Sequence, residues 1–388
     1  MANRNRVIYQ SEGLFVSKDS SLTGVNDAEQ LGRVQSANYS FTINRQDVNQ
    51  FGDLARIDSL VLDPPTVSVD FSYYLADGFN ERALGFFVQN SGAANTQRGG
   101  GATAYTSGNF ASGHLTANSG VNVYIVTSPD GEDLNKAGAG EPLNASDTVI
   151  GIGNCYLSDY SLDLSVGSLP TVSVTMEGAN MNSSSSASGF ANPAINQEDG
   201  TAAFGTVQLP NPTEDGGITG AHGSEAAITA LRPGDVSVSL VDVNGESLAS
   251  IDGTDGAHIQ SVSVSLPLSR SPIQRLGSKF PFARDVDFPV DISMSVSAVL
   301  NDTRTSDLAD ILDSGVQSVG FSIADPEGTL NAIKGDFKGV KIDSQSFSSS
   351  IGSNKTVDLT FSTQVGGPND TDNGFFMSGC GWNTVFTA

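Results

Sequence analysis

Basic side chains are scarce in this chain: 19 Lys and Arg stand against 43 Asp and Glu, a formal net charge of −24 over 388 residues. A protein that grips nucleic acid or an anionic membrane carries a basic footprint. This one would repel both, although it can sit beside nucleic acid if holding it is not its role. Cysteine is rarer still. Cys155 and Cys380 lie far apart and neither belongs to a C-x-x-C pair, which excludes a zinc ribbon or a redox motif. No disulfide framework is expected, and two reduced thiols suit synthesis in a cytosol. No 18-residue apolar run occurs and Met1 to Tyr9 contain no apolar h-region, so neither a membrane span nor a signal peptide is expected.

Catalytic patterns are missing as well. His114, His222 and His258 sit in Gly/Ser/Ala stretches read as loops, without an H-x-x-x-H partner, and no G-x-S-x-G elbow occurs. Neither zinc hydrolysis nor a serine triad is signalled. Gly151-Ile152-Gly153-Asn154-Cys155 begins like a dinucleotide loop but lacks the third glycine and the following helix, and reads as a strand turn. Asn369 to Gly374 is spaced like a calcium loop, yet its twelfth position is Cys380 rather than Glu. An enzyme is not expected, nor a metal or cofactor. The single tryptophan, Trp382, suits a docking anchor and a packed C-terminal strand equally.

What is present is glycine, 43 residues of it, much Ser, Asn, Asp and Thr, and short β-branched runs separated by turn residues. That composition predicts an all-β protein with short helices. The chain also matches itself. Val34-Gln35-Ser36 through Phe51-Gly52 lies without gaps over Ile259-Gln260-Ser261 through Leu276-Gly277 at an offset of 225, and Val67 to Tyr73 over Val290 to Val296 at 223. Tyr124, Val126 and Pro129-Asp130-Gly131 match Phe321, Ile323 and Pro326-Glu327-Gly328 at 197; Ser161 to Val172 match Ser346 to Val357 at 185. These matches, in one order along the chain, predict two homologous domains from an internal duplication. They span 1–181, with a Gly-rich insertion near 89–120, and 228–367. A flexible polar linker over 182–227 joins them, and a C-terminal tail covers 368–388. Each copy is expected to hold two hairpins and a short helix, starting at Asn80 to Leu84 in the first and after Thr305-Ser306-Asp307 in the second, ahead of Leu308, Ile311 and Leu312.

The hairpin strands alternate with period two. Their polar sides carry Asp70, Asp159, Asp163, Glu177, Asp291 and Asp358 among hydroxyls such as Ser68, Ser161, Ser261, Ser293, Ser346 and Thr360, with no Lys or Arg at the positions read. A solvated sheet face accounts for such a pattern. Ordinary faces mix both signs, however, and lysine guards edges, so the pattern also suits a surface that must not stick to a polyanion.

The order Leu31-Gly32-Arg33-Val34-Gln35, the paired hairpins, a helix start between Asp77 and Leu84 and the Gly-Ser turns resemble the tail tube proteins of long-tailed bacteriophages. The duplication resembles their double-domain members. The resemblance implies a structural virion protein of the tail, made in the host bacterial cytoplasm. It implies homotrimeric, pseudo-hexameric rings, stacked as a tube, with strands from each chain in a closed inter-subunit β-barrel. Tape measure protein and DNA would occupy the lumen without specific binding, and tail terminator and distal tail proteins would contact the ends; no membrane is implied. Three chains of eight strands at about 4.8 Å spacing and about 40° tilt close at roughly 45–50 Å between backbones. The bore, roughly 35–40 Å after side chains, clears a duplex of about 20 Å. The acidic and hydroxyl positions named above are then expected to line it. Two alternatives are a tandem β-sandwich binding module, adhesin-like or carbohydrate-binding, and another virion component such as a connector or decoration protein.

Overall fold

The computed structural model describes residues 11–17, 28–90, 108–115, 120–129, 132–134, 143, 146–185, 189–196, 201, 205–209, 230–241, 257–277, 280–300, 317–324, 331–349 and 354–379. The strands of the first half are β1 (Glu12–Ser17), β2 (Ala28–Gln30), β3 (Val34–Thr42), β4 (Arg45–Val48), β5 (Asp58–Val61), β6 (Thr66–Tyr74), β7 (Val88–Asn90), β8 (Val121–Thr127), β9 (Thr148–Ser165), β10 (Thr171–Gly178), β11 (Asn180–Ser184), β12 (Phe190–Ala191) and β13 (Thr206–Val207). Those of the second half are β14 (Val236–Val241), β15 (Ala257–Pro267), β16 (Arg270–Ile273), β17 (Ala283–Val286), β18 (Asp291–Leu300), β19 (Gln317–Ala324), β20 (Asn331–Ser348), β21 (Thr356–Gln364) and β22 (Gly374–Gly379). Among the described residues two short α-helices, α1 (Phe79–Leu84) and α2 (Ser112–Leu115), and a 3-10 turn at Pro233–Asp235 interrupt them. The protein is all-β in character.

A principal sheet runs β3-β6-β10-β9-β15-β18-β21-β20, antiparallel throughout. Alternation drives it: Val67, Val69, Phe71 and Tyr73 are buried while Ser68, Asp70 and Ser72 face the other way. The first half contributes β3-β6-β10-β9, the second β15-β18-β21-β20, and β9 pairs with β15 from Ser165–Ser261 to Asp159–Pro267. Among the described residues of one chain this sheet is open.

β9 and β20 each run 18 residues, because each serves two sheets. Their later parts lie in the principal sheet. Their earlier parts belong to flanking sheets, ordered β2-β1-β8-β9-β11 and β14-β19-β20-β22-β7. The change of direction falls at Asn154 (φ 53) in β9 and Gly339 (φ 70) in β20, left-handed positions that Asn and Gly tolerate best. Val123 and Ile125 of β8, with Val319, Phe321 and Ile323 of β19, share one core with Val69, Phe71, Val174, Val296 and Phe361. The apolar face of the principal sheet is thereby covered.

α1 closes the first half. Asn80 is tied to Gly32 in both directions, accepting from Gly32 N (3.0 Å) and donating to Gly32 O (2.8 Å). Glu81 is buried and accepts from Tyr73 (2.8 Å) and Tyr160 (3.4 Å). The helix expected after Asp307 lies outside the described residues. The described parts of the 89–120 insertion are not loose: Phe110 N donates to Phe375 O (2.8 Å) and its ring stacks on Phe86 at 4.2 Å. Nor is 182–227 a bare linker. Its described residues include the β12–β13 hairpin, and Phe190, Val207 and Leu209 pack on Phe15, Tyr124 and Val126 in a second core. The tail contributes β22, which is buried along its length and pairs with β20 and, in parallel, with β7.

Candidate functional site: the polar face of the principal sheet

The twelve polar residues singled out by alternation share one face. Asp70 and Asp159 both stand opposite Thr175, and Ser68 opposite Glu177. Ser161 pairs with Ser173 and Ser265, and Asp163 with Thr171 and Ser263. Further along, Ser261 stands opposite Ser297, Ser293 opposite Ser362, Asp358 opposite Ser346, Thr360 opposite Ser344, and Asp291 opposite Gln364. The carboxylates are spaced among hydroxyls rather than clustered. Thr175 donates to Asp70 at 2.8 Å. Burial pushes the Asp159 carboxyl up.

The face is not free of cations. β20 bulges at Asp343, so that Ile342 faces Phe361 and Lys341 faces Ser362. One extra residue turns the following side chains to the opposite face, which strict alternation does not foresee. At the same rim of the first half, Arg284 from the β16–β17 hairpin reaches Glu177 at 3.6 Å. Arg270 lies over Tyr156 at 5.0 Å and donates to the carbonyls of Arg284 (2.9 Å) and His114 (2.8 Å). Tyr156, Arg270 and Arg284 wall a cavity of about 220 Å³ with Glu177, Ser158 and Leu268. Ser158 in it donates to Thr175 O at 3.1 Å.

His114 and His258, read as loop residues, lie on α2 and β15; His114 is buried with its ring 4.5 Å from Phe86. His222, Cys380 and Trp382 lie outside the described residues. Gly151 to Cys155 is continuous strand within β9, and burial pushes the Cys155 thiol up to about 12. In the calcium-like stretch, Asp370 accepts from Asp372 N, Asn373 N and Asn373 Nδ2, which closes a turn ahead of β22. Among the described residues no group of three His, Cys, Asp or Glu is placed to hold a metal ion.

Two apolar features escaped the sequence reading. Tyr39, Phe41 and Ile43 on the β3 side, and Phe347 on β20, are exposed large hydrophobics at the two margins of the principal sheet. The hairpins β4–β5 and β16–β17 project Phe51, Leu54 and Leu276 into solvent. No protein-family model matches the chain, and no curated protein matches it.

Proposed function

We propose that the chain is a duplicated tube-forming subunit of the phage tail tube type: three copies close a 24-stranded barrel, rings stack, and DNA passes through a lumen that does not hold it. The observation that carries this reading is the principal sheet itself, two quartets of strands in the same order, laid side by side with one polar face. Shared irregularities support the duplication. Gln35 and Gln260 are both bulged, and both hairpin tips turn on a positive-φ glycine, Gly52 and Gly277, at offsets of 225. Asn154 and Gly339 are both left-handed, and Ser158 and Asp343 both bulged, at offsets of 185.

Closure would remove the sheet margins, which otherwise invite uncontrolled pairing. Spaced carboxylates would repel phosphates, while hydroxyls keep the wall wet. On this reading tape measure protein and DNA fill the lumen, and terminator and distal proteins cap the ends of a virion tail. A tandem of independent binding sandwiches accounts poorly for the main-chain pairing of β9 with β15. Its aromatics would form a platform, whereas the exposed Tyr39, Phe41 and Phe347 lie at margins.

Negative-stain microscopy of the purified protein tests the proposal. Tubes with a bore of roughly 35–40 Å are expected. Single rings that never stack would favour the connector or decoration reading, and persistent monomers would sink both.

A further inference from the structure

The β9–β15 joint inside one chain is a template for a joint between chains. On its apolar side Leu162 faces Val264 and Tyr160 faces Leu266; on its polar side Ser161 faces Ser265 and Asp163 faces Ser263. β3 occupies the place of β15, 225 residues earlier, and the later part of β20 the place of β9, 185 residues later. Transferring the register sets Phe347 against Tyr39, Gln345 against Phe41, Ser346 against Ser40 and Ser348 against Asn38. The side chains whose counterparts are covered are those left exposed. Val264, Leu266 and Leu268 are 1%, 0% and 0% exposed, whereas Tyr39, Phe41 and Ile43 are 44%, 58% and 39%; Leu162 is 0% and Phe347 40%. A groove beside the joint tells the same story. In the second half, Val236, Ile259 and Val262 line it together with Leu164 and Val166, which reach it across the joint. The matching groove of the first half, lined by Leu14, Val34, Ala37 and Ile125, has no such wall.

We propose that the partner of each margin is a second copy of this chain, joined antiparallel with Ser346 of β20 opposite Ser40 of β3. This rests on the tube reading and adds the register. Among the described residues β3 pairs only with β6, and the Ser344–Ser348 part of β20 only with β21, so both carry unused main-chain donors and acceptors. The bonds Val166 N to Gln260 O (2.9 Å) and Leu268 N to Ser158 O (2.8 Å) make the apolar pairs of the joint the hydrogen-bonded ones. Ser161–Ser265, and by transfer Ser346–Ser40, is then a non-hydrogen-bonded pair with Cα atoms about 4.5 Å apart. That separation admits a disulfide.

The test uses the full chain carrying Cys380→Ser and a pair of new cysteines, Ser40→Cys with Ser346→Cys, beside a slipped pair, Asn38→Cys with Ser346→Cys. Mild oxidation should cross-link the first pair between chains at least about tenfold more than the second, whose diagonal spacing of about 7–8 Å is too wide. Wild type and both variants are imaged alongside. Rings or tubes in which the slipped pair, or neither, cross-links overturn the register and leave the tube reading standing. Wild-type protein that stays monomeric overturns both. Should a variant alone fail to assemble, Ser348→Cys with Asn38→Cys probes the same register one pair along, and its failure to cross-link in assembled rings counts against the proposal.

Discussion

The β9–β15 joint and the two margins of the principal sheet occupy matching positions, yet one is sealed and the others are open. The joint is lined by Leu162, Val262, Val264 and Leu266 with the ring of Tyr160, all buried; the margins carry Tyr39, Phe41 and Phe347 in contact with water. The joint has a polar latch that the margins lack. Arg270 over Tyr156, and Arg284 on Glu177, tie the second half to the first, while the offset counterparts of Tyr156 and Glu177 are Lys341 and Ser362. A joint within a chain forms once, during folding, and can be packed as core. On the proposed reading a margin must stay soluble until its partner arrives, and burying a large apolar side chain then yields about 1.5–3 kcal/mol each. If the margins close as proposed, the difference between the two regions is the difference between folding and assembly.

The sharpest way to break that comparison is to place one charge in each region. Leu162→Asp sets a carboxylate between Val172 and Val264 with nothing to pair it, and is expected to cost on the order of 4 kcal/mol or more. Phe347→Asp, at the matching position on β20, is expected to change monomer stability by less than about 1 kcal/mol while abolishing rings. Denaturant titration beside sedimentation separates the two. Equal losses of stability would mean that the margin is part of the fold rather than a docking edge.

Much of this architecture was legible in alternation, because a strand buried on one side cannot slip by one residue without reversing every side chain. That is why all twelve polar residues fall on one face. Alternation failed where the backbone departs from it. The Asp343 bulge brings Lys341 onto the polar face. In β8, Val123, Tyr124, Ile125 and Val126 are all buried, between two cores, so nothing marked its phase. Sequence matching laid Tyr124 on Phe321, whereas pairing opposite β9 and β20 makes Ile125 the counterpart, at an offset of 196. The packed pieces of 182–227 were invisible for another reason. Two-residue strands such as β12 and β13 have no period, and the Ser, Gly and Asn around them read as linker. The far face of the second flanking sheet carries Lys334 and Asp336, ion-paired at 2.9 Å, so no such cover is needed there.

A second, smaller difference lies behind the joint. Tyr160, which faces Leu266 across it, donates to buried Glu81; the offset counterpart, Gln345, is exposed. Burial raises the Glu81 carboxyl from 4.5 to about 7, against the lowering effect of the bonds from Tyr73 and Tyr160. Raised in the folded chain, the group keeps its proton at pH values where the unfolded chain has released it. The folded state binds more protons between about 4.5 and about 7, so stability falls as pH climbs through that window and levels off above it. The loss is on the order of 3 kcal/mol. Glu81→Gln should remove this slope in denaturant titrations from pH 5 to 8 and leave the pH dependence of ring formation unchanged. An unaltered slope would place the titration elsewhere.

The least perturbing change is on the polar face, where both halves expose carboxylates whether or not they flank the joint. Asp70→Lys, Asp163→Lys and Asp291→Lys together reverse three charges per chain at exposed positions. Surface substitutions of this kind move stability by about 0.5 kcal/mol each, with a little more at Asp70, which gives up the bond from Thr175. Assembly should survive, since Asp70, Asp163 and Asp291 lie on β6, β9 and β18 rather than on the margin strands, Asp70 coming nearest as the residue opposite Asn38 of β3. If the face lines a lumen, nine new cations per three-chain ring replace a repelling wall with a holding one, and counterion release makes the hold salt-dependent. Tubes of the variant should retain linear duplex DNA at low salt and release it at high salt, while wild-type tubes retain none at either. Indifference of the variant to DNA would turn the polar face outward and leave the joint and its margins as the only part of the comparison with a role in assembly.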